Sequence, residues 1–199
     1  LLASCKTDKK TENTEQPETA TPEAEWTVLF DGTSTEGWRA YNGEALPPGW
    51  VVKNKELTFD TELGLEQDYN GGKDIIYGAE EFDNFEFYVE WKLPKGGNSG
   101  IFYHIKEGYK SIPEVSPEYQ LIDDENYAAM HDLTEYNLSL GYTDKPEDLK
   151  PLQQTASDYA MHPADASKKV LHPVGEWNSS KIVFTSEKVE HWLNGEMVV

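Results

Sequence analysis

Residues 84–94 read NFEFYVEWKLP, and this strict alternation constrains the fold more than any other stretch of the chain. Phe85, Phe87, Val89, Trp91 and Leu93 fall on one side, and Glu86, Tyr88, Glu90 and Lys92 on the other. A strand turns successive side chains to opposite faces, whereas a helix repeats every 3.6 residues. The segment is therefore a strand with one buried face, the pattern of an antiparallel sheet. SGIFYHI repeats it, with Ile101, Tyr103 and Ile105 opposed to Phe102 and His104. In SSKIVFTSEKVEHWLNG, Ile182 and Phe184 face one way, a turn follows at 186–188, and Val189–Leu193 forms a second strand. Asn194-Gly195 then predicts a tight hairpin into a strand beginning at Glu196. Aromatic residues make up 12% of the chain, a content that suits pleated sheets better than a helical bundle. Helical periodicity is scarce. ENYAAMHDL (125–133) fits one short inserted helix, and the rest of 134–169 reads as a long irregular excursion. The expected fold is all-β: an antiparallel two-sheet sandwich with long loops and at most one or two short helices.

The front of the chain has a different character. Leu2-Ala3-Ser4-Cys5 reads as a lipobox, the end of a bacterial lipoprotein signal peptide, with Cys5 as the lipidation site. Cys5 is the only cysteine, so a disulfide within the chain is excluded. Residues 6–25 carry no large apolar side chain and read as a flexible polar tether. The expected organisation is a signal-peptide remnant at 1–5, the tether at 6–25, and one β-sandwich domain at 26–199, truncated at its C-terminal end. Lipid anchoring through Cys5 implies the bacterial cell envelope, in the periplasm or at the outer-membrane surface.

A formal net charge of −20 argues against nucleic acid as a partner, because no basic patch exists to displace counterions from phosphate. Gly71-Gly72 and Gly96-Gly97 lack the lysine and the following helix of a phosphate cradle, so no nucleotide or flavin cofactor is expected. Oligomeric state is not legible.

The chemistry-bearing residues cluster in SPEYQLIDD (116–124). Alternation puts Tyr119 and Leu121 on one face, suited to the core, and Glu118 and Gln120 on the other, facing either solvent or a groove. Asp123, His131 and Asp132 lie close enough in sequence to meet at a loop-built site for a divalent metal ion. The competing reading is a capping aspartate beside a surface histidine. Trp177 either stacks on a sugar ring or anchors the core. His191 and Trp192 point to opposite faces, so at most one is core. His162 and His172 receive no role.

NSGIFYH (98–104), PEYQLIDD (117–124), PVGEWNSSKIVFTSEKVEHWLNG (173–195) and the opening WTVLFDGTSTEGW together resemble the 3-keto-disaccharide hydrolase domain family, found in envelope lipoproteins and secreted proteins of Bacteroidetes and related bacteria. The resemblance implies a concanavalin-like jelly roll and cleavage of glycosides whose sugar bears a ketone at C3. That ketone acidifies the C2 hydrogen. A base removes it, the enolate expels the group at C1, and water adds afterwards. The route needs a base near C2, a hydrogen-bonding or positive group at the C3 oxygen, and an acid for the leaving group. A divalent metal is one way to meet the second need. On this resemblance Glu118, as base or metal ligand, His104 and His191 are the catalytic candidates. Gln120, Asn98, Trp177, Glu90 and Lys92 are the candidates for contacting a carbohydrate. His104 stands where the family usually has arginine, which bears on substrate preference. Three functions stay open: a glycoside-cleaving enzyme, a non-catalytic carbohydrate-binding module, and a structural lipoprotein.

Overall fold

The computed structural model describes residues 2–7, 25–66, 74–134, 140–141 and 148–199. Its strands are β1 (Leu2–Thr7), β2 (Thr27–Phe30), β3 (Trp38–Ala40), β4 (Trp50–Lys53), β5 (Glu56–Phe59), β6 (Ile75–Tyr77), β7 (Phe85–Trp91), β8 (Asn98–Phe102), β9 (Glu118–Ile122), β10 (Asn178–Phe184), β11 (Val189–Leu193) and β12 (Glu196–Met197). Among the described residues two short α-helices, α1 (Thr61–Glu66) and α2 (Tyr127–Met130), interrupt them. The expected all-β antiparallel architecture is what forms, and α2 falls inside the ENYAAMHDL stretch.

Six strands form one sheet in the order β12-β11-β10-β7-β1-β2, with each neighbouring pair antiparallel. β3–β6, β4–β5 and β8–β9 form separate two-stranded ladders. The alternation of β7 is realised in packing. Val89 is 0% and Trp91 4% exposed, while Phe85 and Phe87 pack beside them. The neighbouring β10 sets Ile182 opposite Phe87 and Ser180 opposite Val89. Trp91 Nε1 donates to Ser180 Oγ at 2.8 Å, so its buried N–H is satisfied. This inner face shares one core with Tyr103, Tyr119 and Leu121 from the β8–β9 side. Two layers thus close on one another, each large apolar side chain contributing about 1.5–3 kcal/mol by leaving water. The predicted hairpin also forms: Asn194 (φ 48°) and Gly195 (φ 90°) both take left-handed conformations and turn β11 into β12.

The front of the chain departs from expectation. Leu2–Thr7 lies in the main sheet between β2 and β7, and Cys5 is 2% exposed in the core. A thiol packed there has no room for a lipid, so a lipidated Cys5 would require Leu2–Thr7 to leave this position. An unpaired strand edge accepts any extended backbone, and this pairing leaves little trace in side-chain pattern. Most of the expected tether, 8–24, lies outside the described residues, as does part of the 134–169 excursion. Among the described residues no helix is long and apolar enough to cross a membrane.

Candidate active site

The β8–β9 ladder answers the question posed by SPEYQLIDD. Its register pairs Phe102 with Glu118, Gly100 with Gln120 and Asn98 with Ile122 on one face. Ile101–Tyr119 and Ser99–Leu121 share the other. Tyr119 and Leu121 face the core as expected, at 0% and 4% exposed, and the Tyr119 hydroxyl donates to the Trp192 carbonyl at 3.1 Å. On the opposite face the Glu118 carboxyl lies across Gly100. A Cβ at residue 100 would stand 1.8 Å from Glu118 Oε1. The missing side chain is therefore what seats the carboxyl, a close approach that glycine alone permits.

Glu118 is half-buried, and burial, followed by the charge of Asp74, pushes its carboxyl up to about 8. Asp74 immediately precedes β6, and its own carboxyl is raised by burial. The Tyr41 N–H donates to the Asp74 carbonyl at 3.0 Å, continuing the β3–β6 ladder and fixing the backbone at Asp74. Glu118 therefore holds its proton up to about pH 8, where an isolated glutamate is ionised.

Gln120 shares the Glu118 face, yet it is 2% exposed and closed off from a groove. The excursion runs alongside β9 and covers it. Gln120 N–H donates to Ser157 O (3.1 Å), Ala156 N–H to Gln120 O (2.9 Å), and Tyr159 N–H to Glu118 O (2.9 Å). Gln120 Oε1 accepts the Leu121 N–H at 2.9 Å. The expected substrate contact by Gln120 is thus replaced by a structural one, because a segment more than 30 positions further along the sequence supplies the wall.

Of the two histidines proposed as catalytic, His191 is sealed in the core, while His104 stands just beyond Phe102, the strand partner of Glu118. His104 leaves the strand with φ +52°, so it does not share the direction of Asn98 and Phe102. It is exposed, and its ring tilts against Phe184 at 5.2 Å. His191 is the core member of the His191-Trp192 pair, 0% exposed. Its Nδ1 lies 3.1 Å from the Ala156 carbonyl and its Nε2 3.1 Å from the Tyr103 hydroxyl. A carbonyl can only accept, so Nδ1 carries the proton and Nε2 accepts from tyrosine. Burial pushes this imidazole down to about 4 and keeps it neutral. His191 therefore ties β11, Tyr103 and the excursion together, away from any groove.

The expected metal trio does not assemble. Asp123 accepts N–H groups from Gly96 (2.7 Å), Glu125 (3.2 Å) and Asn126 (3.1 Å), and Asn126 Nδ2 reaches both its oxygens (3.0 and 2.9 Å). Those donors hold its carboxylate low and occupy the lone pairs a metal would need. His131 Nε2 pairs with Gly96 O at 3.0 Å and its ring stacks on Tyr127, while Asp132 accepts the Thr134 N–H. Among the described residues no group of three or more His, Cys, Asp or Glu side chains is placed to hold a metal ion.

Glu90 and Lys92 occupy the outer face of β7, with the core between them and Glu118. Glu90 accepts from the Tyr88 hydroxyl at 3.0 Å, and Lys92 pairs with Glu56 at 2.8 Å. Lys92 Nζ also sits 4.7 Å over the ring of Trp177, which is 38% exposed, so Trp177 belongs to that distant face. Asn98 is exposed at the start of β8. A cavity of about 90 Å³ bordered by Leu93, Ile122, Leu171 and Asn178 contains neither Glu118 nor Asp74. Sequence reasoning missed Asp74, which no local pattern marks. It also missed Gly100, for which a glycine inside an alternating strand was an available signal.

The 3-keto-alpha-glucoside-1,2-lyase-like domain matches residues 25–199. A 3-keto-disaccharide hydrolase of Bacteroides thetaiotaomicron is 34% identical over 182 residues, covering 86% of this chain and 57% of that protein. The chain thus spans just over half the length of that curated relative. A crystal structure of a candidate glycosyl hydrolase from Parabacteroides distasonis is 34% identical, with a TM-score of 0.66 over 87% of this chain and 70% of that one. Another from the same organism, 23% identical with a TM-score of 0.55 over 86% of this chain and 63% of that one, shows the fold alone. With the matched region extending from before β2 to the last residue, the chain belongs to the family of 3-keto-alpha-glucoside-1,2-lyase-like domains.

Proposed function

We propose that this domain cleaves glycosides bearing a ketone at C3, with Glu118 as the base at C2. The observation that carries the reading is the Glu118 carboxyl seated on Gly100 and pushed up to about 8. A carboxylate destabilised by burial and by Asp74 is a stronger base than an exposed one, and it suits removal of a carbon-bound hydrogen. Its oxygen takes the C2 hydrogen as a proton, and the C–H electron pair becomes the C2–C3 enolate. The enolate then re-forms the ketone, places a double bond between C1 and C2, and breaks the C1–O bond. Protonated Glu118 returns its proton to the departing oxygen. Water adding across the new double bond completes hydrolysis. The family match and the 3-keto-disaccharide hydrolase relative support this substrate class. Asp123, His131 and Asp132 do not fit a metal, so no step passes through one. Envelope anchoring through Cys5 is a separate proposal resting on the lipobox. Labelling of expressing cells with a fatty-acid analogue tests it, and an unlabelled Cys5 would remove it.

The test is product analysis on matched glycosides, plain and 3-keto, with and without divalent ions, for wild type and Glu118→Gln. The expected result is cleavage of the keto member alone, with solvent deuterium entering at C2 and both signals lost in the variant. Equal cleavage of plain and keto glycosides, or an active variant, overturns the assignment. Binding of both without cleavage would make the domain a carbohydrate-binding module.

A further inference from the structure

Residues 157–159 lie along β9 as a third strand of the β8–β9 ladder. Ala156 (φ 70°) is the extra residue of a bulge: its N–H donates to Gln120 O, and Gln120 N–H donates to Ser157 O. Past the bulge the pairing is regular. Asp158 stands opposite Tyr119 in an antiparallel bridge, and Tyr159 N–H donates to Glu118 O at 2.9 Å. Opposed residues of antiparallel strands share a face. Asp158 accordingly turns inward with Tyr119, at 8% and 0% exposed. Tyr159 falls beside Glu118, and Phe102 is the partner of Glu118 on its other side. One row across three strands thus reads Phe102, Glu118, Tyr159: a carboxyl between two aromatic residues.

The rest of that face is filled or covered. The Glu118 carboxyl itself lies across Gly100, Gln120 is 2% exposed, and Ile122 is buried in a small cluster with Leu133 and Leu149. The Phe102 row differs, since all three of its residues are half-buried. Among the described residues neither Phe102 nor Tyr159 belongs to either buried apolar cluster. Strand spacing sets their backbones about 10 Å apart, with Glu118 midway. We propose that Phe102 and Tyr159 are sugar-binding residues: their rings meet the C–H faces of the substrate on either side of Glu118 and hold C2 within reach of its carboxyl. This rests on the reading of Glu118 as the reacting base. A pyranose carries hydroxyls around its rim and C–H groups on its faces, so an aromatic ring grips the face while a carboxyl reaches a ring carbon. Oxidation at C3 removes the hydrogen that projects from one face there. The keto sugar thus offers a flatter face to an aromatic ring than the plain glycoside does, and the row favours it.

Phe102→Leu and Tyr159→Leu keep apolar bulk and remove the flat ring, while Tyr159→Phe keeps the ring. Binding of a 3-keto-glycoside is measured by calorimetry on protein that also carries Glu118→Gln, so that nothing is turned over. Each leucine variant should bind about 3–10-fold more weakly, and Tyr159→Phe within about twofold of its parent. In proteins with Glu118 intact the loss should appear in KM more than in kcat, with the pH midpoint of kcat/KM unmoved. A second readout needs no leucine variant to fold: ring protons of the bound glycoside should shift upfield in ¹H NMR, as aromatic ring currents require. Affinity unchanged in both folded leucine variants, or no upfield shift, overturns the inference. An equal loss in Tyr159→Phe and Tyr159→Leu would assign the contact to the hydroxyl and overturn the ring assignment there. A wild type that binds without cleaving, with binding weakened in the leucine variants, overturns the base assignment and keeps the ring contacts. Cleavage lost in Glu118→Gln with affinity unmoved in both leucine variants does the reverse, and a wild type that does not bind the glycoside overturns both.

Discussion

On one face of the β8–β9 ladder a carboxyl lies half-buried against a glycine, and on the other side of the same unit an imidazole lies sealed against a tyrosine. Burial is the largest influence on both groups, yet it moves them in opposite directions, Glu118 up to about 8 and His191 down to about 4. Each shift favours the neutral form, as a low-dielectric surround requires. The difference lies in access and partners. His191 has a carbonyl and a hydroxyl on its two nitrogens and no exposed surface, so its neutrality serves packing. Glu118 retains exposed surface and feels the charge of Asp74, so its proton is available for exchange with a ligand. A perturbed pKa marks a reactive group only where a substrate can reach it.

The largest test of this contrast is Glu118→Gln. The amide keeps the shape and cannot take a proton, so cleavage of keto-glycosides should fall about 10²–10⁴-fold, measured as kcat/KM. In the wild type kcat/KM should rise with pH through a midpoint near 8 as the carboxylate forms. A rate that falls across that range would make Glu118 an acid instead.

Gly100→Ala sharpens the same point from the neighbouring strand. Its Cβ would collide with Glu118 Oε1 and must push the carboxyl off its seat. A loss of about 10–100-fold in kcat/KM is expected, since small misplacements of a reacting group are costly. The melting temperature should change little, because the carboxyl moves toward solvent. Full activity in this variant would show that the seat is incidental.

On the sealed side, His191→Ala should destabilise the fold by about 2–4 kcal/mol in denaturant titration, leaving the Tyr103 hydroxyl and the Ala156 carbonyl without their partner. Activity per folded molecule should persist. A selective loss of turnover at unchanged stability would return His191 to the catalytic group.

The two groups also oppose each other in the pH dependence of stability. The folded His191 imidazole titrates below its ordinary value of 6.5, so its contribution is complete above pH 6.5 and disappears as pH falls toward about 4. The folded Glu118 carboxyl titrates above its ordinary 4.5, so its contribution is present below pH 4.5 and disappears as pH rises toward about 8. Glu118→Gln should therefore gain stability over wild type as pH rises from 4.5 to 8, by a few kcal/mol at most, read as a pH series of unfolding midpoints. A constant difference across that range would contradict the raised carboxyl.

The smallest effect is expected at Trp177. Its ring lies under Lys92 on the outer face of the main sheet, remote from Glu118. Trp177→Ala should leave kcat/KM within about twofold and cost about 0.5–1 kcal/mol for the exposed cation–aromatic contact. A large loss of activity would show that the outer face meets substrate.

The strands were legible because their determinant is local. Alternation in NFEFYVEWKLP and EYQLI fixes which side chains share a face, and Asn194-Gly195 fixes a turn whose two residues must both reach positive φ. Glu118 was legible for the same reason, as the polar partner of Tyr119 in a strand with one apolar face. Gln120 shows the limit of that logic. Period two gives the face and not what covers it, and the 155–159 segment covers Gln120 while leaving part of Glu118 open. His104 shows another limit, since a single residue at φ +52° ends the alternation that placed it.

By itself, then, the sequence determined an antiparallel β architecture, its strand faces, its hairpin and the carboxylate most suited to chemistry. These follow from short-range backbone geometry. Tertiary structure alone decided that Gly100 seats that carboxylate, that Asp74 opposes its charge, that Asp123 serves a loop, and that His191 belongs to the core. Each of those outcomes depends on segments that meet only after folding. The proton affinity of a side chain is set by the solvent it loses and the charges it meets, neither of which is a property of its neighbours in sequence.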